Sequence, residues 1–343
     1  MELNKTIIFR ADGNAKTGLG HLYRLFALVE MLKADYNFVF VTREDSNLEV
    51  IPEAYSIKLL PSNISINEEA QWLANRFDSN NYLIIADGYQ FNSNYQLTVK
   101  NQGYKLVYID DLVKEHMYAD LVVNHSPQVK KEDFKCETYT KFALGLDYAI
   151  LRPKFIKASK EKPVLKTIED IFVNFGGSDS FGNTFKVTRA LLEMKESFNI
   201  HIVVGAAFND TKFFELEKEN RDNIRVYKNL SEEKLINLMK TCSFAIVPSS
   251  TILFELFCVK MPIYSGYFVE NQKDSFRSFK NNNLVYGKGN FNDLKISDLK
   301  EEIFNSINKT THQKMLDKQA KLIDGLQQER HFSLLSKYIS PQV

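Results

Sequence analysis

The chain has 343 residues, enough for two domains that each bury a core. Its 44 Lys and Arg nearly cancel its 43 Asp and Glu, and a net charge of +1 offers no long-range field to nucleic acid or an anionic membrane. Apolar runs such as 82–86 and 244–247 fall far short of the roughly 18 residues of a membrane helix, and the start MELNKTIIFR lacks a signal-peptide core, so a cytoplasmic protein is expected.

In chain order, strand-like runs fall at Ile7–Arg10, Phe38–Thr42, Ile57–Leu60, Leu83–Ala86, Leu106–Ile109 and Leu121–Val123, separated by segments of helical periodicity. That alternation is the pattern of βα units around a parallel sheet. The polar, proline-containing stretch 158–167 reads as a linker. After it the pattern resumes at Ile171–Asn174, Ile200–Val204, Ile224–Tyr227, Phe244–Val247 and Pro262–Ser265, and ends in a helical stretch. The expected division is therefore 1–157 and 168–343. Cys136, Cys242 and Cys258 show no CxxC spacing and read as buried, reduced thiols.

Ligands of open α/β sheets bind beyond the carboxyl ends of the strands, where this chain carries Asp12, Asp87, Asp110, Asp111 and Asn124. The first strand runs through Asp12 and Gly13 to Gly18-Leu-Gly20-His21, where a helix begins with Leu22, Leu25, Phe26, Val29 and Leu32 on one face. His21 in the first turn is either a structural cap or a base that the helix dipole keeps neutral. The loop lacks the Lys and Ser/Thr of a Walker A motif and has only Gly18 and Gly20 of a GxGxxG fingerprint. In the second half, Asn174-Phe-Gly176-Gly177-Ser178-Asp179 reads as a phosphate cradle or a plain βα turn. Ser249-Ser250-Thr251 opens a helix whose Glu255 lies one turn on, placed either to meet ribose hydroxyls or to face solvent. Asn271 and Gln272 follow a later strand end.

Taken together, Arg10-x-Asp12, Gly18-x-Gly20-His21-x-x-Arg24, Asp87-x-Tyr89, Ile109-Asp110-Asp111, Gly145-x-x-Tyr148-Ala-x-Leu151-Arg152, Asn174-Phe-Gly-Gly-Ser-Asp179, Ser250-Thr251 with Glu255, and Asn271-Gln272 form an ordered series. In this the chain resembles, up to about residue 272, the UDP-2,4-diacetamido-2,4,6-trideoxy-β-L-altropyranose hydrolases of pseudaminic acid biosynthesis. It is more distantly similar to the transferase that adds N-acetylglucosamine in making lipid II. It departs from the hydrolases where Ser249 and Ser250 replace a glycine pair, and where Gly88 replaces a histidine.

The resemblance implies a GT-B fold, an α/β architecture of two facing Rossmann-like domains with parallel sheets and the active site in the cleft between them. It further implies metal-independent hydrolysis of a UDP-sugar to free sugar and UDP, inverting at the anomeric carbon, with no cofactor. His21 would activate water and Tyr89 would sit near the sugar. Asp12 would orient His21 or contact sugar hydroxyls, while Asp110 and Asp111 would bind amide groups or cap the next helix. Gly20, Gly176, Gly177, Ser178, Ser250, Thr251, Glu255, Asn271 and Gln272 are the expected binding residues. A monomer or weak dimer is expected, with the UDP-sugar as partner and neither nucleic acid nor membrane. Two other functions fit the same motifs: a glycosyltransferase that uses an acceptor, and a non-catalytic nucleotide-sugar sensor that would tolerate loss of His21.

Overall fold

The computed structural model describes residues 5–14, 17–177, 179–205 and 208–339. The chain divides into unit 1, Met1–Pro153 with Leu326–Val343, and unit 2, Lys154–Gly325.

Unit 1 contains β1 (Thr6–Ala11), α1 (Gly20–Leu32), β2 (Phe38–Arg43), β3 (Ile57–Leu60), α2 (Glu69–Ala74), β4 (Tyr82–Asp87), α3 (Ser93–Asn101), β5 (Lys105–Ile109), β6 (His116–Met117), β7 (Leu121–Asn124), β8 (Lys135–Cys136) and β9 (Lys141–Leu144). Helix α4 (Pro153–Ser159) begins at the boundary. Seven strands form a parallel sheet in the order β3-β2-β1-β4-β5-β7-β9, and β6 pairs with β8 apart from it. Ile7, Ile8 and Phe9 of β1 and Leu83 to Ala86 of β4 are all buried. Side chains on both faces of these strands are covered, which is why they read as continuous apolar runs rather than alternating ones. In α1 the expected stripe is buried, and Leu28 and Met31 join it. A Cβ on Gly13 would lie 2.8 Å from Leu22 Cδ1, so glycine there allows the turn after β1 to pass close against α1.

Unit 2 contains β10 (Asp170–Val173), α5 (Asn183–Leu192), β11 (Asn199–Val204), α6 (Thr211–Glu219), β12 (Ile224–Lys228), α7 (Glu232–Thr241), β13 (Phe244–Pro248), α8 (Thr251–Val259), β14 (Ile263–Gly266), α9 (Lys273–Asn281), α10 (Ile296–Ile307) and α11 (His312–Leu322). Its parallel sheet has the order β12-β11-β10-β13-β14. The last helix, α12 (Gln327–Ile339), belongs to unit 1. Among the described residues no helix is long and apolar enough to cross a membrane. Among the described residues no disulfide forms, with Cys242 and Cys258 buried and Cys136 only half-buried.

Two boundaries differ from the sequence reading. The polar stretch 158–167 sits within unit 2, where Lys260, the left-handed residue (φ 56°) ending α8, donates from Nζ to the carbonyls of Ser159 and Glu161. The reading also ran the second domain to residue 343. Instead α12 docks on unit 1, with Gln328 Nε2 donating to Met31 O at 2.8 Å and His331 Nε2 donating to Tyr148 O at 3.0 Å.

Candidate functional site

In each sheet the strand order reverses beside a central strand, between β1 and β4 in unit 1 and between β10 and β13 in unit 2. At such a switch point the loops leaving adjacent strands part to opposite faces and leave a crevice at the carboxyl edge. Asp12, Gly20, His21 and Asp87 lie by the first of these places and Gly176, Gly177, Ser250 and Thr251 by the second, while Asp110, Asp111, Asn271 and Gln272 follow other strands.

In unit 1 the β1–β4 register sets Ala11 opposite Asp87, which brings the turn after β1 beside the end of β4. His21 Nδ1 lies 2.7 Å from Asp87 Oδ1. With a carboxylate as partner, Nδ1 carries the proton in the neutral ring, and Nε2 is left with its lone pair. Arg24, one turn along α1, donates to both Asp87 oxygens at 2.6 Å, and its Nη1 donates to Asp111 Oδ1 at 2.6 Å. Burial by itself would raise the Asp111 carboxyl, but the Arg24 guanidinium outweighs it and holds the group at about 2. The Tyr89 ring meets the His21 ring edge-on at 4.5 Å and is 48% exposed, so it offers solvent an aromatic surface beside the imidazole.

Asp12 is elsewhere occupied. Its carboxylate accepts from Arg10 at 2.5 and 2.8 Å, from Arg43 N at 2.8 Å and from Gln90 Nε2 at 3.0 Å. Burial pushes its carboxyl up, yet Arg10, the Arg43 amide and the Thr42 hydroxyl bring it below the ordinary value. Arg10 is itself fully buried and paired with Glu69 at 2.7 Å, which also accepts from Tyr95 Oη at 2.8 Å. The carboxylate that orients His21 is therefore Asp87, not Asp12. Asp110, raised by burial, accepts from Val113 N at 2.9 Å. It caps a turn in which Val113 has φ 54°, and no helix follows there.

In unit 2, Asn174 shapes the loop after β10, its Nδ2 donating to Val203 O at 2.8 Å and its Oδ1 accepting from Gly176 N at 3.2 Å. Gly177 is exposed, and no atom of the described residues stands within 4 Å of where its Cβ would be. Behind it, a Cβ on Gly205 would come 2.6 Å from Gly177 Cα. Ser178 lies outside the described residues. The buried Asp179 carboxylate accepts from Asn183 N at 3.1 Å and Thr184 N at 2.5 Å, so the first amides of α5 are capped from within the chain.

At the neighbouring strand ends, Ser250 is the residue before α8 and its side chain makes no capping bond. The first-turn amides of any helix have no intrahelical acceptor, so the start of α8 is suited to an anion. Thr251 is exposed and Glu255 buried, one turn apart on α8. Ser249, one of the residues replacing the glycine pair, turns its hydroxyl inward to Ser265 Oγ at 3.0 Å. Asn271 is exposed in the turn Glu270–Gln272, whereas Gln272 Oε1 accepts from Phe268 N at 3.2 Å and supports that turn. Gly20 begins α1 in unit 1, and no atom of the described residues lies within 4 Å of where a Cβ would be.

Two units of parallel sheet with helices between the strands are the GT-B fold, and comparison with solved structures agrees. The calicheamicin glycosyltransferase CalG4 superposes with a TM-score of 0.67 at 12% identity, covering 99% of this chain and 100% of that one. Among characterised and uncharacterised relatives, protein MJ1062 of Methanocaldococcus jannaschii is 27% identical over 338 residues, covering 91% of this chain and 68% of that protein. The spore coat polysaccharide biosynthesis protein SpsG of Bacillus subtilis is 24% identical over 274 residues, covering 78% and 79%. No protein-family model matches the chain.

Proposed function

We propose that the chain is a nucleotide-sugar hydrolase that releases UDP from a UDP-linked 2,4-diacetamido-2,4,6-trideoxy sugar, with inversion at the anomeric carbon and without a metal. The observation that carries this reading is the His21 ring held through Nδ1 by Asp87 at 2.7 Å, which leaves Nε2 as a base. The motif series supplies the substrate class, and similarity to a protein named for polysaccharide biosynthesis is in keeping with sugar chemistry.

In this mechanism Nε2 takes a proton from water as its oxygen attacks the anomeric carbon, and the bond to the UDP oxygen breaks on the opposite face. UDP leaves as a stable anion and needs no proton, so one base suffices. Negative charge grows on the diphosphate as the bond breaks. Backbone donors at Gly177 and the first turn of α8 then act more strongly on the transition state than on the substrate. Tyr89 packs beside the His21 ring and presents its exposed surface to the sugar.

A second reading has its own support in the likeness to a glycosyltransferase structure. There the same base would deprotonate an acceptor hydroxyl instead of water.

UDP release from UDP-2,4-diacetamido-2,4,6-trideoxyaltrose and from UDP-N-acetylglucosamine, without acceptor or metal, separates the readings. Release from the first donor, slowed on the order of 10²-fold or more by His21→Ala, is the expected result. If UDP binds and neither donor is cleaved until an acceptor is added, the second reading replaces the first.

A further inference from the structure

Asp87 has no exposed side-chain surface, and it borders a histidine of which 12% is exposed. A carboxylate so placed, with only His21 beside it, is free to rotate about χ2 and release Nδ1, which frees the ring to change tautomer. Arg24 blocks that rotation. Its Nε and Nη2 engage the two Asp87 oxygens at 2.6 Å each, so the carboxylate plane is fixed and its charge is balanced. The Arg24 guanidinium is fixed in turn, because Nη1 reaches Asp111 at 2.6 Å from the turn after β5. Three elements are thus tied together: α1 supplies His21 and Arg24, β4 supplies Asp87, and the end of β5 supplies Asp111.

We propose that Arg24 and Asp111 are positioning residues that lock Asp87 in the orientation keeping the His21 proton on Nδ1 and the lone pair on Nε2. The inference rests on His21 being the base, but it concerns a property of the free protein that exists whether or not any donor is cleaved. Arg24 Nη2 also lies 3.3 Å from His21 Nδ1, farther than the 2.7 Å of Asp87 Oδ1, so the carboxylate is the nearer partner of that nitrogen. Tyr89 contacts the ring by its edge, and burial and Arg24 lower the pKa of His125 to about 4, which keeps it neutral. Asp111 has 26% of its side chain exposed, so it can be changed with little disturbance to the core, unlike Arg24.

The test is nitrogen NMR of the full chain labelled at histidine, which reads the tautomer of His21 directly, assigned by its loss in His21→Ala. Wild type is expected to show a protonated Nδ1 and an unprotonated Nε2. Asp111→Asn keeps an acceptor for Arg24 Nη1 and should preserve that pattern. Asp111→Leu removes the acceptor, and Arg24→Met removes the whole clamp. In both, the His21 signals should shift toward a mixture of tautomers, and kcat for UDP release should fall roughly tenfold or more with KM nearly unchanged. A folded Asp111→Leu protein whose His21 remains wholly in the wild-type tautomer overturns the proposal, even if its activity falls. Absence of UDP release in wild type would count against the hydrolase reading and leave the tautomer measurement standing.

Discussion

Glu69 shows how much of unit 1 hangs on single buried charges. It and Arg10 have no exposed side-chain surface, and Arg10 divides its donors between Glu69 and Asp12. Removing one carboxylate from Arg10 costs about 1–3 kcal/mol, the penalty of lost buried hydrogen bonds rather than of an unpaired charge, because Arg10 keeps both its bonds to Asp12. Glu69→Gln is therefore expected to lower unfolding stability by that amount in denaturant titrations while leaving UDP affinity, which the proposed function places in unit 2, unchanged. Arg10-x-Asp12 is visible in the sequence, but Glu69 lies 59 residues away and nothing local announces it. The same reason explains the partner of His21. Asp12 is the nearer acid along the chain, yet Asp87 is the one in contact, because β4 lies beside β1 in the sheet. The i,i+3 spacing of His21 and Arg24 does place both on one face of α1. Which carboxylate they share depends on strand order, which spacing does not carry.

At the scale of elements, the loop after β10 and the end of β11 are built against each other. Adding a methyl at Gly205 would set Cβ 2.6 Å from Gly177 Cα and 2.7 Å from its carbonyl oxygen. Backbone cannot yield as a flexible side chain does, so Gly205→Ala forces the Gly177 turn to move, an overpacking cost of about 1–3 kcal/mol. If Gly177 holds the diphosphate, UDP affinity should fall about tenfold in calorimetric titration, which corresponds to about 1.4 kcal/mol. An unchanged affinity would remove Gly177 from the nucleotide site. Every strand of the two sheets except β9 is legible in the sequence within a residue or two, since buried parallel strands leave runs of Ile, Val and Phe. The two-residue strands β6 and β8 leave no periodicity, and β9, Lys-Phe-Ala-Leu, lacks a β-branched residue. In the glycine loop the capping signal lies in the sequence itself. Asp179 stands four residues before Asn183, and its carboxylate, not a ligand, takes the first amides of α5.

Across the whole molecule the chain returns at its end to the unit in which it began. Lys5 N donates to Ile339 O at 3.0 Å, and His331 of α12 is 1% exposed, seated on the carbonyl of Tyr148. Helical periodicity marked this segment as helix but said nothing of where it docks, because docking is decided by partners some 180 residues earlier. The seat has a consequence for acid stability. Burial lowers the pKa of His331 to about 4, against which the Tyr148 carbonyl works only in part, and burial together with Arg24 lowers that of His125 to about 4 as well. In the unfolded chain both return to about 6.5. Between those values the unfolded state binds more protons than the folded one, so unit 1 loses stability as pH falls from 6.5 toward 4 and is unaffected by this pair above 6.5. Asp111, held at about 2, gives up its contribution only below that window. Each unit of depression is worth about 1.4 kcal/mol, so the two histidines together withdraw several kcal/mol. His331→Gln retains a donor for the Tyr148 carbonyl and has nothing to titrate. Its melting temperature should fall less than that of wild type between pH 6.5 and 4, measured by circular dichroism. Parallel curves would mean that His331 is not buried in the neutral form.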